Sequence, residues 1–302
     1  MNAMCCDGPV TEHDPAGEQP SSRLRIIAEQ LAAEAAAYVQ RRRAEVFGPD
    51  RDADGGQGIP VRTKSTPTDP VTVVDTETER LLRDRLAQLR PDDAVLGEEE
   101  GGSADVPAGT PVWVLDPVDG TVNFVYGIGA YAVSVGVQID GVSVAGAVAN
   151  AATGEVFSAA LGQGAQLSHQ GRSIPLQCNK IDELPMALVG TGFSYDSVRR
   201  QGQAAVLLEL VPQVRDLRRI GSCALDLCMV AAGRLDAYFE SGVHVWDWAA
   251  GALIAAEAGA TLRLPPVGTG GSAESDTDSL IIAAAPGIAD DLAGRLDRAG
   301  YR

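Results

Sequence analysis

The sequence predicts a mixed α and β chain in two parts, an antiparallel-sheet part followed by a part in which strands and helices alternate. Three observations carry this. Residues 131–176 form short alternating or wholly apolar runs, punctuated by Asp140-Gly141, Thr153-Gly154, Gly162-Gln163-Gly164 and Gln170-Gly171, the pattern of a meander. From Met186 onward, strand-length apolar runs alternate with helix-length stretches that stop at glycine. The chain has 302 residues, 45% hydrophobic and 22% charged, which is enough apolar material for one large domain or two small ones.

In chain order, residues 1–20 mix Pro, Gly, Asp and Glu without periodicity and predict a disordered lead-in. An apolar stripe at Leu24, Ile27, Leu31, Ala35 and Tyr38 predicts a helix ending near Gly48, with Arg41, Arg42 and Arg43 suited to its C-terminus. Gly48–Ile59 predicts a mobile loop, followed by a short strand over Val71–Val74. Asp75 then opens a helix in which Thr76 and Glu79 make a capping box. Two buried strands follow, Ala94–Leu96 and Val112–Leu115, and both deliver acidic groups at their C-terminal ends. Past the meander come a strand at Ala187–Val189, helices over Gln203–Val214 and Cys223–Ala232, and a strand at Asp236–Phe239. A helix over Trp248–Ala258, a strand at Ser279–Ala285 and a helix over Ile288–Ala299 close the chain. The change of character places a boundary near residue 185, dividing 21–185 from 186–302.

Charge and composition narrow the function. The net charge is −17, which argues against an electrostatic grip on nucleic acid or an anionic membrane surface. An anionic substrate would need cations as intermediaries. No long uncharged apolar stretch and no signal-peptide pattern occur, and five cysteines without paired metal-ligand spacing fit a reducing cytoplasm. His13, His169 and His244 are too scattered for a His-rich zinc site.

The sharpest cluster is Asp116-Pro117-Val118-Asp119-Gly120-Thr121, directly after a buried strand. Two carboxylates with a proline fixing the turn between them can face one point beyond the strand end. Glu98, at the end of a strand able to pair alongside, reaches the same point. Like charges 4 Å apart repel by about 4 kcal/mol at an effective dielectric of 20, so such a cluster calls for a cation. Oxygen-only ligation selects Mg²⁺, Mn²⁺ or Ca²⁺ over zinc. A helix starting at Gly120-Thr121 would present free N–H groups to an anion held against those metals, most naturally phosphate.

With Trp246-Asp247-Trp248-Ala249-Ala250-Gly251, Gly97-Glu98-Glu99 and Asp69-Pro70-Val71-Thr72-Val73-Val74-Asp75 added, the motifs resemble those of the inositol monophosphatase family of Mg²⁺-dependent, lithium-sensitive phosphatases. The resemblance runs from about Leu24 to the C-terminus. It implies a sandwich of alternating helix and sheet layers with the site between the two subdomains. It implies Mg²⁺, two to three ions: one held by Glu98, Asp116 and the Val118 carbonyl, a second by Asp116, Asp119 and Asp247, and a third shared by Glu98. The attacking water would be positioned by Glu98 and Thr121, with Asp75 hydrogen-bonded to the threonine. Substrate contacts would come from Gly120, Thr121, Gly221, Ser222, Cys223, Glu240 and Asp247, with Lys64 on a nearby loop. A carboxylate at Glu240 favours a polyol over a second phosphate. The stretch Gly192–Asp196 with Arg199 and Arg200 shapes the pocket in a way the motifs do not fix.

The resulting expectation is a cytoplasmic, homodimeric hydrolase of inositol 1-phosphate and related small phosphate esters. The alternatives are a sugar bisphosphatase or a 3′-phosphoadenosine 5′-phosphate phosphatase with the same metal core, or a regulatory protein on a phosphatase fold. Nucleotide-binding kinase and dehydrogenase readings fail, because neither a phosphate-binding P-loop nor a Gly-x-Gly-x-x-Gly after the first strand is present.

Overall fold

The computed structural model describes residues 20–48, 61–63, 70–265 and 280–301. The expected disorder of the lead-in, the mobility of the loop after Gly48 and the contact from Lys64 fall outside the described residues; Pro20, at the end of the lead-in, already belongs to the first helix.

Helix α1 spans Pro20–Phe47 and is followed by a small antiparallel pair, β1 (Val61–Thr63) with β2 (Pro70–Thr72), which leads into α2 (Val73–Leu89). Next come β3 (Ala94–Gly97), β4 (Gly101–Gly102), β5 (Pro111–Asp119) and the short α3 (Thr121–Tyr126). The meander follows as β6 (Ala132–Ile139), β7 (Val142–Asn150), β8 (Val156–Ala160), β9 (Ala165–His169) and β10 (Arg172–Pro175). These strands make an eight-stranded sheet ordered β10-β9-β8-β7-β6-β5-β3-β4, antiparallel throughout except for β3 beside β5. That one parallel pair matters, because it ends both strands at the same edge: Gly97 pairs with Leu115, so Glu98 and Asp116 emerge side by side.

The second half contributes β11 (Leu188–Thr191), α4 (Ser197–Leu210), β12 (Asp216–Arg218), α5 (Cys223–Ala231) and β13 (Ala237–Ser241). It continues through α6 (Val245–Glu257), β14 (Thr261–Arg263), β15 (Leu280–Ala284) and α7 (Ala289–Arg298). Its five-stranded sheet runs β12-β11-β13-β15-β14.

The apolar clusters stack these elements in layers. Leu24, Leu31 and Val39 of α1 and Leu82 and Leu86 of α2 pack on Trp113, Val133, Val135 and Ala147 of the large sheet. Its other face meets α5 and α6, where Leu227, Val230 and Ala252 join Val112 and Val114 on one side and Tyr238, Ile281 and Ala283 of the small sheet on the other. Val206 and Leu210 of α4 and Leu292 and Leu296 of α7 cover the outer face of the small sheet with Phe239 and Ile282. The result is the alternating helix and sheet sandwich. Both faces of each sheet are covered, which explains why the central strands read as continuous apolar runs rather than strict alternation.

Several local expectations shift. Val39, not Tyr38, completes the buried stripe of α1; the Tyr38 hydroxyl turns aside to donate to Glu77. The arginines at 41–43 lie short of the last turn, because α1 runs on to Phe47. Arg42 pairs with Glu77 at 2.8 Å, and Arg43 donates to the Phe124 carbonyl at the end of α3 while lying over the Phe124 ring. Helix α2 begins two residues before Asp75. Its capping box is Thr72 with Asp75, not Thr76 with Glu79, and the strand before it ends at Thr72 rather than Val74. Helix α4 starts at Ser197, well before Gln203, because the Asp196 side chain accepts from the Val198 and Arg199 N–H groups. Helix α6 starts at Val245 rather than Trp248, since the signal is carried by Asp247 in its first turn and not by a Ser or Thr ahead of it.

Candidate active site

The acidic motif works because β5 is irregular. Residues 116 and 119 are an odd number of positions apart, so a regular strand would send their side chains to opposite faces. Asp116 pairs with Ser134 and Asp119 with Ala132, three steps on β5 against two on β6, so one extra residue is accommodated at Pro117-Val118. Proline, which has no N–H to lose from the ladder, suits this position. The bulge turns both carboxylates to one side. Gly120 then takes φ +92, and a Cβ there would lie 2.8 Å from the Ala130 carbonyl oxygen, so both conformation and space demand glycine.

Asp116, Asp119 and Asp247 converge, each offering a ligand oxygen within 4.8 Å of the others. Each is fixed by backbone or side-chain donors. Asp116 Oδ1 accepts from the Val118 N–H at 3.0 Å. Asp119 Oδ2 accepts from the Ser222 hydroxyl at 2.6 Å and from the Ala224 N–H at 2.7 Å, in the first turn of α5. Asp247 Oδ2 accepts from the His244 N–H at 2.5 Å, capping α6.

The electrostatics are adverse without a cation. Burial pushes the Asp119 carboxyl up to about 7, against the Ser222 and Ala224 hydrogen bonds, with Glu240 and Glu98 adding repulsion. Burial, then the charges of Asp119 and Glu98, push Asp247 well above the usual carboxylate range. Buried carboxylates gathered this closely fit a hard divalent cation, whose charge would offset both desolvation and mutual repulsion.

Around this centre, Thr121 Oγ1 lies 3.1 Å from Asp75 Oδ1 and 3.0 Å from the Val118 carbonyl. Asp75 is itself fully buried, and its Oδ2 accepts from the Thr72 N–H and hydroxyl. Glu98 lines the same cleft but stands outside the compact trio. The turn that carries it is held from below by a residue the motifs do not flag: fully buried Glu79 accepts from the Glu99 N–H at 2.7 Å and the Glu100 N–H at 3.0 Å, and from Arg83 at 2.9 Å. The sequence pattern gives this acid to a capping box with Thr76, a role that Asp75 takes with Thr72 instead.

A sequence profile of the inositol monophosphatase family matches residues 21–296, which takes in every one of these side chains. The chain belongs to the inositol monophosphatase family. It is 62% identical over 296 residues to the inositol-1-monophosphatase of Mycobacterium leprae, covering 96% of each chain. It is 35% identical to a Pasteurella multocida protein named Nus factor SuhB, covering 77% of this chain and 84% of that one. Among solved structures, Mycobacterium tuberculosis SuhB superposes with a TM-score of 0.77 at 54% identity, covering 94% of this chain and 99% of that one.

In this inositol monophosphatase-family chain the carboxylate trio opens into a cleft of about 490 Å³. Gly120, Gly221, Cys223 and Glu240 line it with Glu98, Asp119 and Asp247. Ser222 sits behind that wall: its hydroxyl is committed to Asp119 and to the Leu225 N–H, so it faces the protein rather than the cleft. Cys223 is buried with its thiol pushed well up, first by burial and then by the charge of Asp247. Phe193, Ser194, Tyr195, Asp196 and Arg199 form the rim, as the unaligned stretch before α4 suggested, and Arg219 faces them. Arg200 braces that rim by donating to the Ser194 carbonyl at 3.1 Å. No helix among the described residues is long and apolar enough to cross a membrane.

Proposed function

We propose that this chain is a Mg²⁺-dependent phosphomonoesterase that hydrolyses inositol 1-phosphate and related polyol phosphates to the free alcohol and phosphate, with water as the nucleophile. The observation that carries it is the convergence of buried Asp116 and Asp119 with half-buried Asp247, the last two lining a cleft large enough for a sugar-sized ester. Glu98, Asp116 and the Val118 carbonyl would hold one ion, Asp116, Asp119 and Asp247 a second, and Glu98 would share a third. Ions held by these residues would supply the Lewis acidity that makes water nucleophilic at neutral pH and the positive charge that offsets the phosphoryl oxygens.

The protein's own groups arrange the rest. Thr121 has one hydroxyl proton, and Asp75 or the Val118 carbonyl accepts it, which leaves the threonine oxygen to accept from the attacking water. Glu98, which lines the cleft, would position that water together with Thr121. The N-terminal turn of α5, behind Asp119, adds positive potential where the phosphate would sit. Glu240 would accept a hydrogen bond from a hydroxyl of the alcohol, and Lys64, outside the described residues, is the further contact that the family resemblance implies.

The same reading makes the enzyme a cytoplasmic homodimer with its subdomains meeting near residue 185 at this cleft. The unpaired state of Cys178, Cys223 and Cys228 and the net charge of −17 support a reducing compartment and a small anionic substrate rather than nucleic acid.

The test is phosphate release from inositol 1-phosphate, fructose 1,6-bisphosphate and 3′-phosphoadenosine 5′-phosphate, each with and without Mg²⁺. The expected result is Mg²⁺-dependent turnover that favours the inositol ester. Preference for a bisphosphate would overturn the substrate reading and keep the metal site. Absence of turnover on all three would bring a regulatory role forward.

A further inference from the structure

We propose that Tyr238 is a positioning residue for substrate selectivity: its hydroxyl, together with the bare backbone at Gly192, locks the Glu240 carboxylate in the orientation that reads the alcohol half of the substrate. This rests on the reading of Glu240 as the acceptor of a substrate hydroxyl and deepens it, because an acceptor on a loose side chain would discriminate poorly.

Tyr238 and Glu240 are two residues apart on β13, so both project from the same face of the small sheet. β13 is an inner strand, with Tyr238 paired to Gly190 on one side and Ala283 on the other, so its backbone cannot shift without breaking two ladders. The Tyr238 ring is fully buried among Leu235, Leu227, Ile281 and Ala283, which fixes where its hydroxyl sits. That hydroxyl donates to Glu240 Oε2, and the Cys223 thiol lies against it. Gly192, just beyond β11, lies directly against the same carboxylate. A Cβ added there would fall on the Glu240 carboxylate, so the acid lies flat on the backbone and any larger residue must displace it.

One Glu240 oxygen is therefore committed to the protein, and the carboxylate lines the cleft. A carboxylate accepts and does not donate, so the ligand group it selects is a hydrogen-bond donor, which in a polyol ester is a hydroxyl. Burial pushes the Glu240 carboxyl up, and the Tyr238 hydroxyl and then the charge of Arg219, which also lines the cleft, act against it in favour of the ionised form. Removing the tyrosine hydroxyl would leave a buried carboxylate short of a donor and free to turn from the alcohol.

The experiment compares kcat and KM for inositol 1-phosphate and p-nitrophenyl phosphate in the Mg²⁺-loaded wild type, Tyr238→Phe, Gly192→Ala and Glu240→Gln. The aryl ester has no alcohol hydroxyl to be read. Tyr238→Phe keeps the buried ring, and the ratio of kcat/KM values, inositol ester over aryl ester, is expected to fall about tenfold, mainly through a higher KM for the inositol ester. Gly192→Ala acts on the same carboxylate from the neighbouring backbone and is expected to lower the ratio in the same sense, which keeps the test open if Tyr238→Phe folds poorly. Glu240→Gln sets the largest loss attainable. An unchanged ratio in Tyr238→Phe and Gly192→Ala, with Glu240→Gln selective, would overturn the lock alone. A wild type that turns over the aryl ester and not the inositol ester would overturn the polyol reading on which the lock depends.

Discussion

Stripped of divalent cations, the protein should lose stability as pH rises from about 5 to 7, and Mg²⁺ should reverse the trend. Asp119 titrates near 7 in the folded state against an ordinary 3.8, chiefly because it is buried. Between those values the folded chain holds a proton that the unfolded chain has released. Stability therefore falls with rising pH, by roughly 1.4 kcal/mol per pH unit while Asp119 alone is counted. Across the whole interval this reaches on the order of 4 kcal/mol, and Asp247, shifted in the same direction by burial and by Asp119 itself, adds to it. Glu77, Glu155 and Asp216 are shifted the other way by their arginine partners, but their contributions are lost only below about pH 4.5, under the window in question.

The assay is urea unfolding at pH 5, 6, 7 and 8 in excess chelator and again in excess Mg²⁺. Stability of the chelated protein should drop by a few kcal/mol from pH 5 to 7. The metal-bound protein should show a clearly smaller drop, because ligation needs the ionised carboxylates and a ligand at a hundred times its Kd contributes about 2.7 kcal/mol, while Asp226 and Glu240, raised by burial outside the trio, keep their own share. The Asp119→Asn protein serves as control: its amide oxygen can still accept from Ser222 and Ala224, but it has no proton to release, so the slope in chelator should shrink. A flat or rising profile in chelator, or an Mg²⁺ effect of equal size at pH 5 and pH 8, would refute the assignment of these acids to a cation site.

Three further outcomes are expected. Asp247→Asn keeps the cap on the His244 N–H, so its melting temperature should stay within a few degrees while turnover falls at least a hundredfold in steady-state assays at saturating Mg²⁺. Gly120→Ala imposes a left-handed conformation on a residue with a Cβ and presses that Cβ toward the Ala130 carbonyl, so calorimetry should show a loss of about 2 kcal/mol or more, with activity lost alongside. Glu79→Gln removes one of the two acceptors under the Glu98 turn without emptying the space, and the Mg²⁺ concentration for half-maximal rate should rise by roughly tenfold while the aryl ester KM moves little.

Strand β5 was legible because burial makes its apolar run unbroken, and β3 from a short apolar run ending in acids although Ala94, Val95 and Leu96 are only partly buried; that the two lie parallel comes from the structure. The meander was legible from its turns, where Asp140-Gly141 and Gln170-Gly171 adopt positive φ at both residues. Helix starts were the weak point, and for one physical reason. In α2 and α6 the group that closes the cap is an aspartate in the first turn rather than a residue ahead of it, so Asp75 and Asp247 look like the openings of their helices when they are the third residue of each. Glu79 and Tyr238 escaped because their roles depend on contacts distant in sequence or on a same-face neighbour: Glu79 on a turn twenty residues away, Tyr238 on the orientation of Glu240. No local pattern distinguishes either from an ordinary helix acid or core aromatic.

The misplaced caps and the active site are one phenomenon. Asp75 caps α2, Asp247 caps α6, Asp119 accepts from the first turn of α5, and Thr121 is the first residue of α3. Three helices, α3, α5 and α6, thus begin at the cleft, and the Asp75 carboxylate ties the start of α2 to it through the Thr121 hydroxyl. Helix N-termini stabilise negative charge, which lowers the cost of gathering carboxylates before a cation arrives and favours a phosphate after it has. The offset is incomplete, since burial still holds Asp119 and Asp247 well above their ordinary range. That residue of unfavourable energy is what a bound cation relieves, so the arrangement that weakens the empty fold at neutral pH is the same one that gives the site its affinity for metal.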